Sequence, residues 1–266
     1  YSTFDGCSGL TSIPENLFAG IKGAPASYMF NSTFSSCYGL TSIPENLFAG
    51  IQGAPARNMF YSTFYGCSGL TGSIPENLFA GIRGAPAQSM FARTFYECRG
   101  LTGSIPGSLF AGIEGVPAQY MFDSTFNGCS GLTSVPDNLF SGIEGVPASY
   151  MFSSTFHGCS GLTSIPENLF AGIQGAPASG MFSDTFNGCS GLTAIPENLF
   201  VGIQGAPTRY MFRRTFNGCS GLTGPSARIN GEYLYNIWPD NIYSNMPEMY
   251  YGARGLSDYS EIPAGM

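Results

Sequence analysis

The sequence predicts a repeat solenoid, in which α/β coils of about thirty residues stack into one continuous array. A single motif, CSGLTSIPENLFAGIxGAPAxxMFxxTFxG in its most regular form, runs through most of the chain. Its cysteine recurs every 30 or 31 residues, and the extra residue of the longer copies lies in LTGSIP. A period of this length means that each unit covers the hydrophobic face of the unit before it. The eight cysteines that mark the copies are Cys7, Cys37, Cys67, Cys98, Cys129, Cys159, Cys189 and Cys219.

Each copy opens with a short extended segment, residues 10–13 in the first copy. Leu10 and Ile13 are apolar in copy after copy, as expected for side chains that face a core. One such segment per coil predicts a parallel strand ladder that runs along the whole array.

A short helical segment is expected after the strand. Pro14 suits a helix start, and Leu17, Phe18 and Ile21 share one helical face. The motif then supplies a glycine that favours a left-handed cap and a proline that cannot continue the helix. A capping-box spacing, S-x-x-E, stands at the predicted helix start and occurs at Ser12/Glu15, Ser42/Glu45, Ser73/Glu76 and Ser164/Glu167.

The second half of the unit echoes the spacing of the first half. Ala26, Met29, Thr33 and Phe34 repeat the intervals of the apolar positions in residues 10–18. This favours a second strand over residues 26–30, although a helical turn in this segment stays open.

The run FxGCSGLTSIPENLF resembles the BspA-type leucine-rich repeats of bacterial surface proteins. The matching positions are Cys37, Leu40, Ile43 and Pro44 with their equivalents, and the resemblance covers residues 1–223. The unit departs from that family in its length of about thirty residues and in its GIxGAPA segment. The resemblance implies a leucine-rich-repeat-like coil and a secreted or surface-displayed interaction module, often adhesive.

Two regions are expected: residues 1–223 form the solenoid and residues 224–266 a capping segment. The repeat register breaks after Thr223 and returns over residues 249–263 as a degenerate ninth unit, in which Tyr250 replaces Phe216 and Ala253 replaces the cysteine. We expect aromatic side chains of this segment to cover the last hydrophobic face, with an aromatic ligand platform as the alternative. They are Tyr233, Tyr235, Trp238, Tyr243, Tyr250 and Tyr251.

The other end of the array has no equivalent cap in the sequence, which enters a repeat directly at Tyr1. This leaves Phe4, Leu10 and Phe18 without a neighbouring coil. Either further repeats precede them in a longer protein, or another molecule covers the face. The hypothesis is that the chain self-associates end to end through these residues.

Composition excludes several functions. Charged residues make up only 10% of the chain, against about 25% in typical soluble domains, and the net charge is −7. Nucleic-acid binding requires a basic stripe, which is absent. No run approaches the roughly 18 to 20 apolar residues of a membrane span. The uncharged surface, rich in Thr, Ser and Asn, favours an extracellular or cell-surface location.

No catalytic, metal or cofactor site is predicted. His157 is the only histidine, and no Ser/His/Asp or Cys/His arrangement is apparent, so no nucleophilic triad is predicted. One cysteine per coil favours buried free thiols over disulfides, because parallel side chains in a ladder point the wrong way for a bridge. A calcium ladder along the Glu15/Glu45 row and ice binding by the threonine rows are weaker alternatives. The row of Asn16 and its equivalents favours a hydrogen-bond ladder between coils.

Function is expected where the repeat varies. The most variable columns lie in GIxG, where Lys22 is the first member, and on either side of Met-Phe. Tyr and Arg in such columns have the character of interface hot spots, and neutral drift of exposed residues is the alternative. The leading hypothesis is a module that binds a protein or glycan along its length; the alternative is a filament or surface layer. The candidate partner-binding residues are Arg93, Tyr96, Arg99, Tyr120, Tyr150, Arg209, Tyr210, Arg213 and Arg214.

Overall fold

The structure, a computed structural model, describes residues 2–21 and 23–266. Tyr1, where the chain enters its first repeat, and Lys22, the first member of the variable GIxG column, lie outside the described residues. No helix of the described part is long and apolar enough to cross a membrane. The regular elements are strands β1 (Gly103–Ser104), β2 (Leu132–Ser134), β3 (Arg228–Ile229) and β4 (Glu232–Tyr233), helices α1 (Leu234–Ile237) and α2 (Ile242–Asn245), and a 3-10 helix (Pro239–Asn241).

The repeats stack as coils that are hydrogen-bonded to one another. The main connection is a segment that we name the turn ladder, residues 26–37 of the first complete copy and their equivalents. Within it, every second backbone N–H donates to the next coil: Phe30 N to Met59 O at 2.8 Å is one example. The N–H groups in between close tight turns inside the coil, as Thr33 N does to Phe30 O at 3.2 Å.

Residues 26–30 of the turn ladder form neither the strand that the sequence favours nor the helical turn that it leaves open. Tyr28, Ser32 and Ser36 all have positive φ, at 62°, 51° and 58°, in the third position of successive turns, where a type II turn requires it. Side chains therefore point inward in pairs and outward in pairs, with a period of four. The inward pair Thr63 and Phe64 illustrates the result, since both side chains are fully buried.

The short helix expected after each strand is also absent from the described repeats. Residues 44–51 form isolated turns instead, with Leu47 N donating to Pro44 O at 3.3 Å and Ile51 N to Phe48 O at 2.9 Å. The S-x-x-E pairs form no side-chain cap hydrogen bond in the described residues, because no helix begins there. The cause is length: nucleating a helix is unfavourable, and only a few residues separate the proline from the next corner of the coil.

Strand pairing is sparser than expected, and the second row of pairs occurs at a different position in the repeat from the one expected. Among the described residues, the predicted first ladder forms a strand pair only at β1 and β2, which are parallel with Gly103 opposite Leu132 and a register shift before Ser104. In other coils it is reduced to single contacts, such as Thr41 N to Thr11 O at 3.2 Å. A second row of parallel bridges occurs, but in GIxG rather than at residues 26–30. Its bridges are Gly53↔Ile82, Gly84↔Ile113, Gly115↔Ile143, Gly145↔Ile173 and Gly175↔Ile203.

Three columns of phenylalanine rings form the core. Phe30 stacks on Phe60 with ring centroids 5.5 Å apart, and Phe34 stacks on Phe64 at 5.6 Å. Phe48 belongs to the third column and packs tilted against Phe30 at 4.6 Å. Parallel and tilted ring pairs at these separations contribute about 0.5 to 1.5 kcal/mol each beyond burial, so the columns tie every coil to the next.

The cysteines are free thiols, and seven of the eight are buried. The Sγ of each buried cysteine donates to the carbonyl of a phenylalanine one coil back, as Cys67 does to Phe34 O at 3.0 Å. The buried threonine column behaves in the same way, with Thr63 Oγ1 donating to Phe30 O at 3.0 Å. These two columns therefore satisfy polar side chains inside an otherwise apolar core.

The C-terminal segment continues the turn ladder. Phe216 N donates to Met249 O at 2.8 Å, and the Tyr250 ring stacks on Phe216 at 5.9 Å. The last residues then take the place of a further coil, because Glu248 N donates to Gly265 O and Tyr250 N to Met266 O, both at 2.7 Å. The donor edge of the ladder is thus covered by the chain's own C-terminal residues.

Some of the aromatic side chains expected to cover the last hydrophobic face do so at the C-terminal end of the array. Tyr250 and Tyr235 are buried, and the Trp238 ring stacks on Phe212 at 6.3 Å. Tyr233 is partly buried and stacks on Tyr235 at 5.1 Å.

Two tyrosines of this group are placed differently from the expectation. Tyr251 is 66% exposed and Tyr243 is 77% exposed, so neither covers the hydrophobic face. In the turn ladder Tyr251 is equivalent to Asn217, whose position points outward in every coil.

A buried carboxylate fastens the capping segment. Asp258 accepts hydrogen bonds from Ser226 N at 2.9 Å, Ser226 Oγ at 2.6 Å and the Tyr235 hydroxyl at 3.1 Å. The hairpin β3–β4 lies beside this network and turns at Asn230 and Gly231, both with positive φ, as a two-residue type I′ turn requires.

At the other end, Phe4, Leu10 and Phe18 are only partly buried, although their equivalents in later coils are fully buried. Phe4 still stacks on Phe34 at 5.4 Å and Phe18 on Phe48 at 5.8 Å. One face of each ring is therefore packed.

A prediction concerns the glycine of the FAG motif, which lets coils approach closely. A Cβ at Gly172 would collide with the backbone oxygen of Ile143 in the preceding coil, whereas a Cβ at Gly20, in the same column, meets nothing within 4 Å. We expect Gly172→Ala to lower the free energy of unfolding by about 1 to 3 kcal/mol, as overpacking does. Gly20→Ala is the matched control and should leave the urea midpoint nearly unchanged. Equal effects of the two substitutions would contradict the close packing of coils.

A second prediction concerns the thiols. Burial raises the pKa of Cys67 and of Cys219 to about 12, from 9.0, and raises the pKa of Cys37, Cys98 and Cys129 as well. Because the folded pKa exceeds the unfolded value, this stabilisation is complete below pH 9 and is lost as pH rises toward the folded values.

We therefore expect a thermal midpoint that is flat from neutral pH to pH 9 and falls steeply above it. The variant Cys129→Val should fall less steeply, since it has one titrating thiol fewer. At pH 8, a thiol reagent such as DTNB should label one residue, Cys7, in the native chain and eight in denaturant. Rapid labelling of several native thiols would contradict the buried ladder.

Candidate binding surface

The outward side chains of the turn ladder form one surface, which we name the turn face. It comprises the positions equivalent to residues 27, 28, 31, 32, 35 and 36 in every coil, between the inward pairs. The bonds that connect coils in this segment hold each position directly beside its equivalent in the next coil. Eight of the nine predicted partner-binding residues lie on the turn face, and Arg99 lies just beyond it, after Cys98.

Two of the predicted arginines, Arg93 and Arg99, lie in or directly after the turn-ladder segment of residues 87–98, in a group of charged and aromatic residues. Arg93 is exposed and faces the Tyr61 ring, with its guanidinium carbon 5.8 Å from the ring centroid. Its Nε lies 3.9 Å from Asp123 Oδ2. Arg99 pairs instead with Glu97 and does not join Arg93.

Tyr96 completes this group by stacking on Tyr65 of the preceding coil at 4.7 Å. Burial raises the pKa of Tyr96, and the neighbouring Tyr65 adds to that effect. The Asp123 carboxyl also has a raised pKa, because its burial outweighs the opposing effect of Arg93. A partly exposed ion pair at 3.9 Å contributes roughly 0 to 1 kcal/mol, so this cluster is held by rings more than by charge.

The predicted tyrosines of the middle coils are joined into a stack. Tyr120 and Tyr150 lie parallel, with ring centroids 5.2 Å apart and 7° between the planes. The next member of the column is Gly180, and the Tyr150 ring lies in the space that a side chain there would occupy. The ring stack therefore ends above Gly180.

The densest predicted group is Arg209, Tyr210, Arg213 and Arg214, in the turn-ladder segment of residues 208–219. In the structure its members lie close together. The Arg209 guanidinium lies over the Tyr210 ring, 4.7 Å from its centroid, and Nη2 donates to the Tyr210 hydroxyl at 3.1 Å. That hydrogen bond lowers the pKa of Tyr210, and the charge of Arg213 acts in the same direction.

The other two arginines of this group have carboxylate partners. Arg213 Nη1 lies 3.4 Å from Asp184 Oδ2 and Arg214 Nε lies 2.7 Å from Glu248 Oε2. Both are partly exposed pairs, worth roughly 0 to 1 kcal/mol each. Arg209 differs, because no carboxylate of the described residues lies within salt-bridge distance of it.

Four residues that contact the candidates were not in the predicted partner-binding set: Tyr61, Tyr65, Gly180 and Asp184. Tyr65 and Gly180 could have been found by aligning copies, since each stands in the column of a predicted tyrosine. The contacts of Tyr61 and Asp184 join different columns of adjacent coils, and a column-by-column alignment contains no signal for such diagonal pairs.

The alternative sites of the sequence receive no support from geometry. No group of three or more His, Cys, Asp or Glu side chains in the described residues is close enough to hold a metal ion. The expected asparagine ladder is fragmentary: Asn77 Nδ2 donates to Glu45 Oε1 at 3.2 Å, and Asn198 Oδ1 accepts from Asn230 N at 3.1 Å. The Thr11 row is exposed, whereas the Thr33 row is buried, so the two rows share no surface.

Comparisons with known proteins give weak structural similarities only. No family model matches the chain, and a search of curated proteins gives no match. Among solved structures, a leucine-rich repeat protein of T. pallidum is 18% identical over 68% of this chain and 66% of that protein, with a TM-score of 0.31. A leucine-rich repeat protein of Bacteroides ovatus is 19% identical over 84% of this chain and 74% of that protein, with a TM-score of 0.23. TM-scores this low carry no argument about function or the path of the coil, and the resemblance to BspA-type repeats stays a prediction.

Proposed function

We propose that this chain is a non-enzymatic interaction module, secreted or displayed at a cell surface, that binds a protein or glycan through the turn face. The observation that carries the proposal is the distribution of variable Tyr and Arg residues. Inward positions of the turn ladder repeat the same Met, Phe, Thr and Cys, whereas tyrosine and arginine vary on the outward positions.

The composition of the turn face suits recognition. Tyrosine and arginine dominate binding hot spots, because each combines a large flat contact area with a polar group. The rings of Tyr120 and Tyr150 and the pair Arg209–Tyr210 are already ordered by contacts within the protein. Side chains that are ordered before binding lose less conformational freedom on binding.

Self-assembly into a filament or surface layer is the competing function, and one observation opposes it. Head-to-tail stacking would require the N–H groups of Glu248 and Tyr250 to donate to the first coil of another copy. Those groups already donate to Gly265 and Met266. A second copy would therefore have to displace the C-terminal residues of the first.

The proposal is tested on printed arrays of glycans and extracellular-matrix proteins, probed with the labelled 266-residue chain. We expect selective binding that is lost in a turn-face variant, Tyr120→Ser/Tyr150→Ser/Arg209→Ser. Both of the columns that contain these residues already have serine in other coils, for example at Ser89 and Ser179. The matched control changes as many exposed residues in GIxG: Gln52→Ser/Glu114→Ser/Gln174→Ser.

Binding no stronger than that of an unrelated acidic protein would overturn the proposal. So would binding that the control variant loses and the turn-face variant keeps. Sedimentation of the same samples tests the competing function, because an assembly protein should form large particles as its concentration rises, whereas a binding module should not.

A further inference from the structure

Four asparagines of the chain are followed by glycine: Asn127, Asn187, Asn217 and Asn230. In this dipeptide the backbone nitrogen of the glycine can attack the side-chain carbonyl carbon of the asparagine, because glycine has no side chain to obstruct the approach. The bond to the side-chain amide nitrogen then breaks, and that nitrogen leaves as ammonia with the proton of the glycine N–H. Water opens the resulting cyclic imide at either carbonyl, which yields aspartate or isoaspartate. No oxidant, cofactor or enzyme is required.

In three of these dipeptides the turn ladder holds the reacting nitrogen. The glycine N–H donates a 2.7 Å hydrogen bond to a carbonyl of the next coil in each case: Gly128 N to His157 O, Gly188 N to Asn217 O and Gly218 N to Tyr251 O. These bonds retain the proton that must leave, so the imide can form only after the ladder opens locally. Two of the asparagine side chains are held as well, because Asn187 Nδ2 donates to Asp184 Oδ1 at 2.9 Å and Asn217 Nδ2 to Glu248 O at 3.4 Å.

The fourth dipeptide, Asn230–Gly231, lies in the turn of the β3–β4 hairpin, and both of its residues are exposed. The Gly231 N–H makes no hydrogen bond to any described residue, and neither does the side-chain amide of Asn230. The backbone N–H of Asn230 donates to Asn198 Oδ1 at 3.1 Å, which leaves both reacting groups free. The nucleophile, the amide and the water for hydrolysis therefore meet here without any unfolding.

The reaction would change the geometry of this turn. Asn230 and Gly231 have φ of 51° and 84°, and a two-residue turn of this type fixes which strand residues face each other, here Ile229 and Glu232. In isoaspartate the main chain runs through the Cβ atom, which adds an atom to the backbone of the turn. The two strands can then no longer keep the same register across it.

Both products also place a new negative charge beside existing ones. The turn lies against Glu197, since a Cβ at Gly231 would be 3.8 Å from Glu197 Oε1, and Glu232 follows directly in the sequence. Like charges at such distances repel each other. The new carboxylate would also compete with Glu197 for Arg228, whose Nη2 lies 3.4 Å from Glu197 Oε2.

The hairpin is connected to the buried part of the capping segment. Ala227, directly before β3, donates its N–H to the Tyr250 hydroxyl at 3.0 Å, and its carbonyl accepts from Leu234 N at 3.2 Å. All three residues are buried. A change of register in the hairpin therefore reaches residues that hold the capping segment against the last coil.

We infer that Asn230 is a site of spontaneous deamidation in the folded protein and that its conversion loosens the capping segment. The modification is irreversible and selects one asparagine of four. The other three are protected by the same hydrogen bonds that stack the coils. The capping segment thus records the age of the molecule, whereas the turn ladder does not.

The test is peptide mass spectrometry of the 266-residue chain after increasing times at pH 8, with a matched sample in urea. In the native chain we expect Asn230 to deamidate at least about tenfold faster than Asn127, Asn187 or Asn217, because each of those sites must first break a hydrogen bond worth roughly that factor. In urea the four rates should lie close together, since the dipeptide is the same. Equal native rates, a faster ladder asparagine, or the same preference for Asn230 in urea would overturn the inference.

The variant Asn230→Gly tests the effect on the capping segment. Gly-Gly suits the same type of turn and has no amide to lose. We expect the aged, unsubstituted chain to show a lower thermal midpoint and faster protease cleavage within residues 224–266 than fresh chain, in proportion to the deamidated fraction. Aged Asn230→Gly should match its own fresh sample. Equal changes in the two proteins, or an unchanged chain after complete deamidation, would overturn the loosening of the capping segment.

Discussion

The alternation of backbone hydrogen bonds in the turn ladder governs the rest of this structure. One N–H closes a turn within its own coil, and the next donates to the following coil, as Asn31 and Ser32 do. A chain can satisfy both partners only if it bends tightly and repeatedly, which imposes positive φ at every fourth residue. Side chains then leave the segment in inward and outward pairs. The inward pairs form the phenylalanine, threonine and cysteine columns, and the outward pairs form the turn face.

The small and polar residues of the motif follow from the same constraint. Coils that share hydrogen bonds approach so closely that five glycines of this column have no room for a Cβ: Gly81, Gly112, Gly142, Gly172 and Gly202. Phenylalanine carbonyls already accept one N–H, and the Thr and Cys columns use the remaining lone pair, as Thr94 Oγ1 does with Phe60 O at 2.9 Å. A thiol suits this position because it fills a small apolar space and still donates weakly. The inward residues of the motif therefore repeat along the chain because packing requires them, whereas the outward residues are free to vary from coil to coil.

The sequence was sufficient for the repeat and its buried columns but not for the local conformation. The regular spacing of Cys37, Cys67 and their equivalents predicts stacked units, and the structure brings equivalent positions together. A period of four is close to the 3.6 of a helix and is twice the 2.0 of a strand, so the segment after Ala26 matched both patterns and is neither. The hairpin at Asn230–Gly231 could have been found from its dipeptide. The diagonal contacts of Arg93 and Arg213 could not, because they depend on which coils are adjacent and on the offset between columns.

Specific surface chemistry arises where one coil departs from its neighbours. Because the backbone groups of the turn ladder are used in stacking, a partner can be recognised only through side chains. A regular column of identical rings would present only their edges, since each face is covered by the next ring, as Tyr120 covers Tyr150. At Gly180 the column loses a ring without a change in the backbone, which has φ of 61° there and 57° at Tyr150, and the Tyr150 ring takes the space that a side chain would fill. The surface chemistry of the turn face can therefore change from coil to coil by single substitutions, while the inward pairs that form the core stay the same.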